Sequence, residues 1–398
     1  MAIPLVSETF AVIEMTLRGI AGRTGQALAS VLGITVVVAV MIAFLSMAEG
    51  FERTVAGAGS TDLAVIMRTS AGAELNSVIG LSQIKIIADA PGVARDENGL
   101  PMISPELYVI TDGIKRATGL SVNIPLRGME PVGITIKKNL EIVAGRAFEP
   151  GRNELMVGVA ANREFAGLEL GQSVRLGPSE WEVVGIFSTG GSVFESEIWA
   201  DAKLVQDVFR RGSSYQIMRV KLDGETGLEE LNAFLEADPR LNSLSAKTEA
   251  RYYAQQSEPL SNMIKYLGYP LAITMALGAL AGALNSMYSS VAARTREIAT
   301  IRALGFGGFS TFIATLLESV ILSVIGGFLG VITAFLFFDG MGAATLGTSF
   351  TQVVFALHVS PGLVMNGLIL AVTVGLAGGF FPALRAARLP ILEGMRDN

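Results

Sequence analysis

The sequence contains no cysteine and a single histidine, His358. The first absence removes disulfides, thiolate zinc sites, iron–sulfur clusters and a lipid-anchored bacterial cysteine together. It fits an oxidising compartment, where a stray thiol is a liability. The one histidine lies outside the middle of the chain, so no Ser/His/Asp set forms there, and His358 is expected in a short loop as a surface side chain near a membrane interface. No GxxxxGK[S/T] segment occurs, so the chain has no P-loop of its own for ATP. Gly190-Gly191 reads as a plain loop, since no Lys-Ser/Thr follows it. Charge is scarce as well, at 17% of residues, against about 25% in ordinary soluble domains.

What charge there is lies in one place. Residues 51–262 hold 21 Lys and Arg against 28 Asp and Glu, and the rest of the chain holds 9 and 8. An acidic middle argues against nucleic acid, which needs clustered basic side chains. Outside it the chain consists of long apolar runs. Residues 27–48 are about 22 residues, or roughly 33 Å as a helix, enough for a hydrocarbon core of about 30 Å. This run is too long for a signal peptide, and Glu49-Gly50-Phe51-Glu52 is a poor cleavage context, so an uncleaved anchor is expected. Three more spans are expected at 267–291, 311–338 and 361–384. The fold class that follows is a membrane protein of four transmembrane α-helices, with a large α/β extracytoplasmic domain at 51–262 inserted between helices 1 and 2.

Basic residues beside the spans set the orientation. Arg18 and Arg23 precede the first span, Arg294, Arg296 and Arg302 lie between the second and third, and Arg385, Arg388 and Arg396 follow the fourth. All three clusters fall on one side of a four-span chain. The N-terminal amphipathic segment 1–26, the loop 292–310 and the tail 385–398 are then cytoplasmic, and the loop 339–360 lies outside. Within the spans, Gly278 and Gly282, Gly326 and Gly330, and Gly375 and Gly379 recur at the spacing that lets helix backbones approach in lipid. Packing within one bundle and a seam between two copies both fit. Glu318 lies inside the third span, where a charge costs at least about 2.5–3.5 kcal/mol. A hydrogen bond to a neighbouring helix accounts for it more simply than a proton relay, because no ionisable partner shows on the other spans.

In the middle domain, alternation gives strands at 63–67, 107–111, 155–159, 173–176, 181–187 and 216–222, and helical spacing gives helices at 81–90, 202–209 and 228–237. A change of character near 190–200 divides it into two subdomains. No catalytic constellation and no metal-ligand spacing stands out. Glu195 and Glu197, flanking Ser196, are a weak cation candidate on one strand face.

Residues 294–305, with Ile298, Ile301 and Leu304 every third position and Gly305 as a stop, form a short amphipathic helix that either lies on lipid or docks in a partner's groove. Here the sequence resembles the permeases of the macrolide-exporter and cell-division (MacB/FtsX-like) class of ABC transporters. The carrying segments are REIATIRALGFG at 296–307, LLESVILSVIGGFLG at 316–330 and FPALRAARLPILEGMR at 381–396. GRAFEPGRNELMVG at 145–158, LGQSVRLGPSEWEVVGIF at 170–187 and the run from Ala27 to Glu52 join them.

The resemblance implies that Arg296, Glu297, Ile298, Ile301, Arg302, Leu304 and Gly305 couple to a separate cytoplasmic ABC ATPase, which would carry ATP and Mg while this chain binds no cofactor. It makes Glu318 a family feature of the third span. It implies a second permease copy, as a homodimer or a related heterodimer, set in membrane lipid in a bacterial inner membrane, with a possible periplasmic adaptor or carrier protein. The expected activity is mechanotransmission for export or efflux, in which ATP-driven dimer closure moves the outer domains. Lipoprotein release within the same fold, or FtsX-like control of a cell-wall hydrolase or sensor kinase, are the alternatives. An enzyme in the outer domain lacks any site.

Overall fold

The computed structural model describes residues 5–18, 24–137, 139–347 and 351–390. Arg23 and Arg396, used above for orientation, lie outside them. The chain divides into two compact units: residues 1–49, 262–341 and 357–398 form one, and residues 50–261 with 342–356 form the other.

Six helices make up the first unit: α1 (Leu5–Arg18), α2 (Thr24–Ala56), α3 (Glu249–Ala293), α4 (Thr295–Ala303), α5 (Gly308–Phe338) and α6 (Pro361–Ala387). Among the described residues, α2, α3, α5 and α6 are long and apolar enough to cross a membrane. The expected spans all fall inside them. α2 and α3 continue well past the expected ends, and the division between units falls within both helices. At 45 residues, α3 is more than twice the ~20 a bilayer requires. It carries Pro259 and Pro270, each of which removes one backbone hydrogen bond. α6 starts sharply because the Ser360 hydroxyl accepts the Leu363 N–H and Pro361 takes the first helical position.

Ile34, Val38 and Ile42 of α2, Ala272 of α3, Ala334 of α5 and Ala371 of α6 share one core. Two of the three glycine pairs build it. A Cβ on Gly330 would lie 2.7 Å from Val38 Cβ, and one on Gly326 would lie 2.8 Å from the Val31 carbonyl oxygen. Likewise a Cβ on Gly375 would lie 2.7 Å from Ser323 Cβ, and one on Gly379 2.6 Å from Ser319 Cβ. These four glycines therefore pack α5 on α2 and α6 on α5. The Ser319 hydroxyl donates to the Gly375 carbonyl at 2.8 Å across the second seam. Gly278 and Gly282 differ, since a side chain there would meet nothing within 4 Å.

An eleven-stranded sheet carries the second unit. Its order is Leu244–Thr248, Leu63–Arg68, Ile217–Lys221, Ile103–Lys115, Ser121–Met129, Ile198–Asp201, Glu154–Gly158, Ser179–Ser188 and Glu141–Gly145; two short strands pair at its flanks. Leu63–Met67 is buried throughout, as its unbroken apolar run requires. Two cores form on the sheet. One gathers Ile66, Ile79, Ile87, Val220, Leu231 and Leu244. The other gathers Leu107, Leu126, Val157, Phe165, Trp181 and Ile198. The second lobe is thus an insertion into the first. The change of character near 190–200 precedes the chain's return, and an earlier crossing lies along Ile103–Lys115.

The loop expected at 339–360 contains a hairpin, Gly342–Leu346 paired with Gln352–Ala356, that folds into the second unit. Val354 enters the core of the inserted lobe, and its N–H donates to the Ser196 hydroxyl at 2.9 Å. Phe355 packs edge-on to Phe51 with centroids 5.6 Å apart.

The glycine geometry predicts an asymmetry. Gly330→Leu should lower the thermal stability of the detergent-solubilised chain by about 1–3 kcal/mol through overpacking. Gly278→Leu should leave it within about 0.5 kcal/mol. Equal losses in melting temperature would contradict the assigned packing.

Candidate coupling site

The segment singled out by sequence is built from α4 and its flanks. α4 closes in a left-handed turn: Gly305 has φ 101°, the Phe306 N–H reaches the Ile301 carbonyl at 3.3 Å, and the Gly305 N–H reaches that of Arg302 at 3.1 Å. This pattern of bonds terminates helices and needs glycine. The apolar face of α4 is already occupied. Ile298 and Ala299 are buried, with Ile298 clustered on Val291, Ala386 and Leu389. Arg302 donates to the Leu389 carbonyl and is half-buried, as is Ile301. Arg296, Glu297, Leu304 and Gly305 face outward, Leu304 at 75% exposure. The seven residues are therefore brought together, but as two faces. Ile298, Ile301 and Arg302 hold α4 on the end of α6, and the other four form its outer surface.

Glu318 has the ionisable partner that the sequence did not reveal. Arg294, between α3 and α4, donates from Nη1 to the Glu318 carboxylate at 3.0 Å and from Nη2 to the Thr16 hydroxyl of α1 at 2.9 Å. Arg294 and Glu318 are 7% and 4% exposed. Arg294 Nε also lies 3.5 Å from the Glu297 carboxylate. An arginine that reads as a membrane-flanking charge is thus a buried junction of three helices, directly after the last residue of α3.

The second unit holds a larger buried network, of which the sequence singled out only Glu197, and that as a cation candidate. Arg127 makes a two-pronged contact with Glu197 at 2.7 and 2.6 Å, and its third nitrogen donates to Glu74 at 2.6 Å and Glu106 at 2.9 Å. Arg219 donates to Glu106, to Glu249 at 2.8 Å and to the Tyr253 hydroxyl at 2.8 Å. Lys137 reaches Glu249 at 3.4 Å and sits 3.5 Å from the centre of the Phe194 ring. All seven charged groups are buried. Burial pushes the Glu74 carboxyl up, but Arg127 and Arg219 beside it outweigh that and hold it below its ordinary value. Burial pushes the Lys137 amine down, and the nearby Glu249 only partly restores it.

Glu249 is the first residue of α3 and Tyr253 lies one turn on, so the start of that helix is fastened into the network. The Ser60 N–H adds a further bond to Glu249 at 3.2 Å. Glu195 and Glu197 do not share a face. Glu195 lies in a short 3-10 turn and accepts the N–H groups of Thr189 and Gly191, both at 2.8 Å, while Glu197 belongs to Arg127. Among the described residues no group of acidic and histidine side chains could hold a metal ion.

Removing one member of such a network strands its partners. Arg127→Met should cost about 3–5 kcal/mol in thermal or denaturant unfolding of the full chain. Arg240→Met, which breaks an exposed pair with Asp238, should cost far less, because such pairs contribute little in water. Similar losses for both would remove the network from its structural role.

The sequence matches the MacB-like periplasmic core domain over residues 27–237 and the FtsX-like permease C-terminal domain over residues 271–391. It is 26% identical over 421 residues to the ABC transporter permease YvrN of Bacillus subtilis, covering 96% of this chain and 98% of that one. To the ABC transporter permease MJ1507 of Methanocaldococcus jannaschii it is 22% identical, covering 97% and 98%. Similarity to the macrolide export ATP-binding/permease protein MacB of Nitrosomonas europaea, at 26% identity, covers 90% of this chain and 55% of that longer protein. With four candidate membrane helices and a large α/β domain inserted after the first, the chain belongs to the MacB/FtsX-type family of ABC transporter permeases.

Proposed function

We propose that this chain is the non-catalytic permease subunit of an ABC exporter, and that it couples ATP hydrolysis by a separate cytoplasmic ATPase to movement of its extracytoplasmic domain. The single observation that carries the reading is α3. One helix starts with Glu249 in the seven-charge network and ends one residue before Arg294, which is locked to Glu318 and Thr16. A displacement at either buried junction would leave a charge desolvated and unpaired, at a cost of several kcal/mol. Moving the helix as a whole avoids that cost, which makes it suited to carrying force.

The outer face of α4 supplies the point of entry. Arg296, Glu297, Leu304 and Gly305 form the exposed surface that would meet the ATPase, while Ile298 passes the load to α6. The basic flanks of the spans support a cytoplasmic location for this face. ATP and Mg would be held by the partner. The open face at Gly278 and Gly282 suits a second permease copy, because small residues permit close helix approach in lipid. A periplasmic adaptor or carrier protein would then receive the motion. Export as the purpose is supported by relatives named for macrolide export and pyoverdine export.

The test uses the permease and its cognate ATPase reconstituted in nanodiscs. Permease alone should hydrolyse no ATP. Glu297→Arg combined with Leu304→Asp should weaken ATPase association roughly tenfold or more, as expected for central interface residues, while loss of the exposed Glu297 partner of Arg294 lowers stability by no more than about 1 kcal/mol. Ile298→Asp should instead lower the melting temperature. ATP hydrolysis by the permease alone, or undiminished association of the double variant, would overturn the assignment.

A further inference from the structure

α3 and α6 touch where Gly378 meets Ala283; a Cβ on that glycine would come within 3.0 Å of the Ala283 Cβ. Toward their C-terminal ends they part around a cavity of about 440 Å³. Val291, Leu389 and Pro390 supply its apolar walls, and Thr295, Arg385 and Arg388 its polar ones. Arg385 stands over the Tyr288 ring at 5.8 Å from the centroid. Neither Arg385 nor Arg388 has a carboxylate partner among the described residues. Among the acidic side chains described at this end of the unit, Glu297 and Glu318 both face Arg294.

Two guanidinium groups three residues apart, neither with a carboxylate partner among the described residues, thus border an apolar-walled groove at the ends of two membrane spans. That level of a bilayer is where lipid phosphates lie. A phosphodiester offers oxygens that arginine holds in paired hydrogen bonds, and its single charge leaves room for a second anionic group. The exposed Phe380 and Phe381 on the last turns of α6 offer a surface for acyl chains.

We propose that this groove binds the headgroup of an anionic phospholipid through Arg385 and Arg388. Basic pockets between membrane helices act in this way toward acidic lipids, whereas zwitterionic lipids gain less from two cations. The site would tie the position of α4, which rests on Val291 and Leu389, to the lipid composition of that leaflet.

Native mass spectrometry of the full chain, released from nanodiscs of phosphatidylglycerol or phosphatidylcholine, tests this. The unaltered chain should retain phosphatidylglycerol about tenfold better than phosphatidylcholine. Arg385→Gln with Arg388→Gln should remove that preference, and the corresponding double lysine variant should keep most of it. Millimolar inorganic phosphate should not displace the lipid. Unchanged retention in the glutamine variant overturns the proposal, and so does displacement by phosphate alone. Loss of ATPase association in that variant without loss of lipid preference also overturns it, by assigning the groove to an acidic protein segment. If retention arises only in a chain ending at Pro390, the chain's own tail is the occupant and the proposal fails. Should the glutamine variant not fold, titration of the unaltered chain with the two lipids at low and high salt decides, and equal affinity for both refutes it.

Discussion

Seven buried charges hold the extramembranous unit in one arrangement. Arg127, Arg219 and Lys137 face Glu74, Glu106, Glu197 and Glu249. Such a network adds little net stability, because desolvation offsets most of the attraction; its value is that alternatives are expensive. Glu74 and Arg219 come from one lobe, Arg127 and Glu197 from the lobe inserted into it, and Glu249 from the first turn of α3. Sliding any of these against the others strands a charge in a dry interior. The lobes and the helix therefore keep their register together. Tyr253, bridging Arg219 and Glu74, extends the same constraint one turn along the helix.

A smaller version of the same device lies just beyond the other end of α3. Arg294 answers Glu318, so a carboxylate that would be costly in a span is neutralised from the neighbouring connection. The pair also fixes where α4 begins, and α4 in turn buries Ile298 against α6. The apolar stripe that suggested a docking helix is thereby consumed within the chain. What is left for a partner is a polar and glycine-ended surface with one exposed leucine. In this account force enters at that surface and leaves at Glu249, through a helix that is covalently continuous between them.

The spans and six of the strands were legible in the sequence because their signals are local. Leu63–Arg68 and Ser173–Leu176 stand between turn residues and alternate or run apolar, and four long apolar stretches stand out against a charged middle. Ser121–Met129 was not legible, since Pro125 and two glycine-rich neighbours argue against a strand. Pro125 is tolerated because Ile198–Asp201 pairs only with residues 126–129, so at Pro125 the strand pairs with Ile103–Lys115 alone. The hairpin at 342–356 was hidden between two spans, in a stretch short enough to pass for a loop. The ion network was hidden for another reason: its members are spread from residue 74 to residue 249, and each alone looks like a surface charge. A signal did exist. Arg127 in Ile-Pro-Leu-Arg-Gly-Met and Arg219 in Ile-Met-Arg-Val are single cations inside apolar strands, where exposure is improbable and a buried partner is required. Glu318 carried the same signal, but its partner lies in a connection outside the spans, where a search among helices does not look.

The absence of cysteine makes the central claim accessible to a direct measurement. A single spin label at Thr118→Cys, on the exposed turn of the inserted lobe, would report the distance between the two copies that the proposed function requires in a reconstituted transporter. If force passes from the ATPase through α3, the distance distribution shifts between the nucleotide-free and ATP-bound complexes. An unchanged distribution, in a preparation that binds and hydrolyses ATP, would contradict the account.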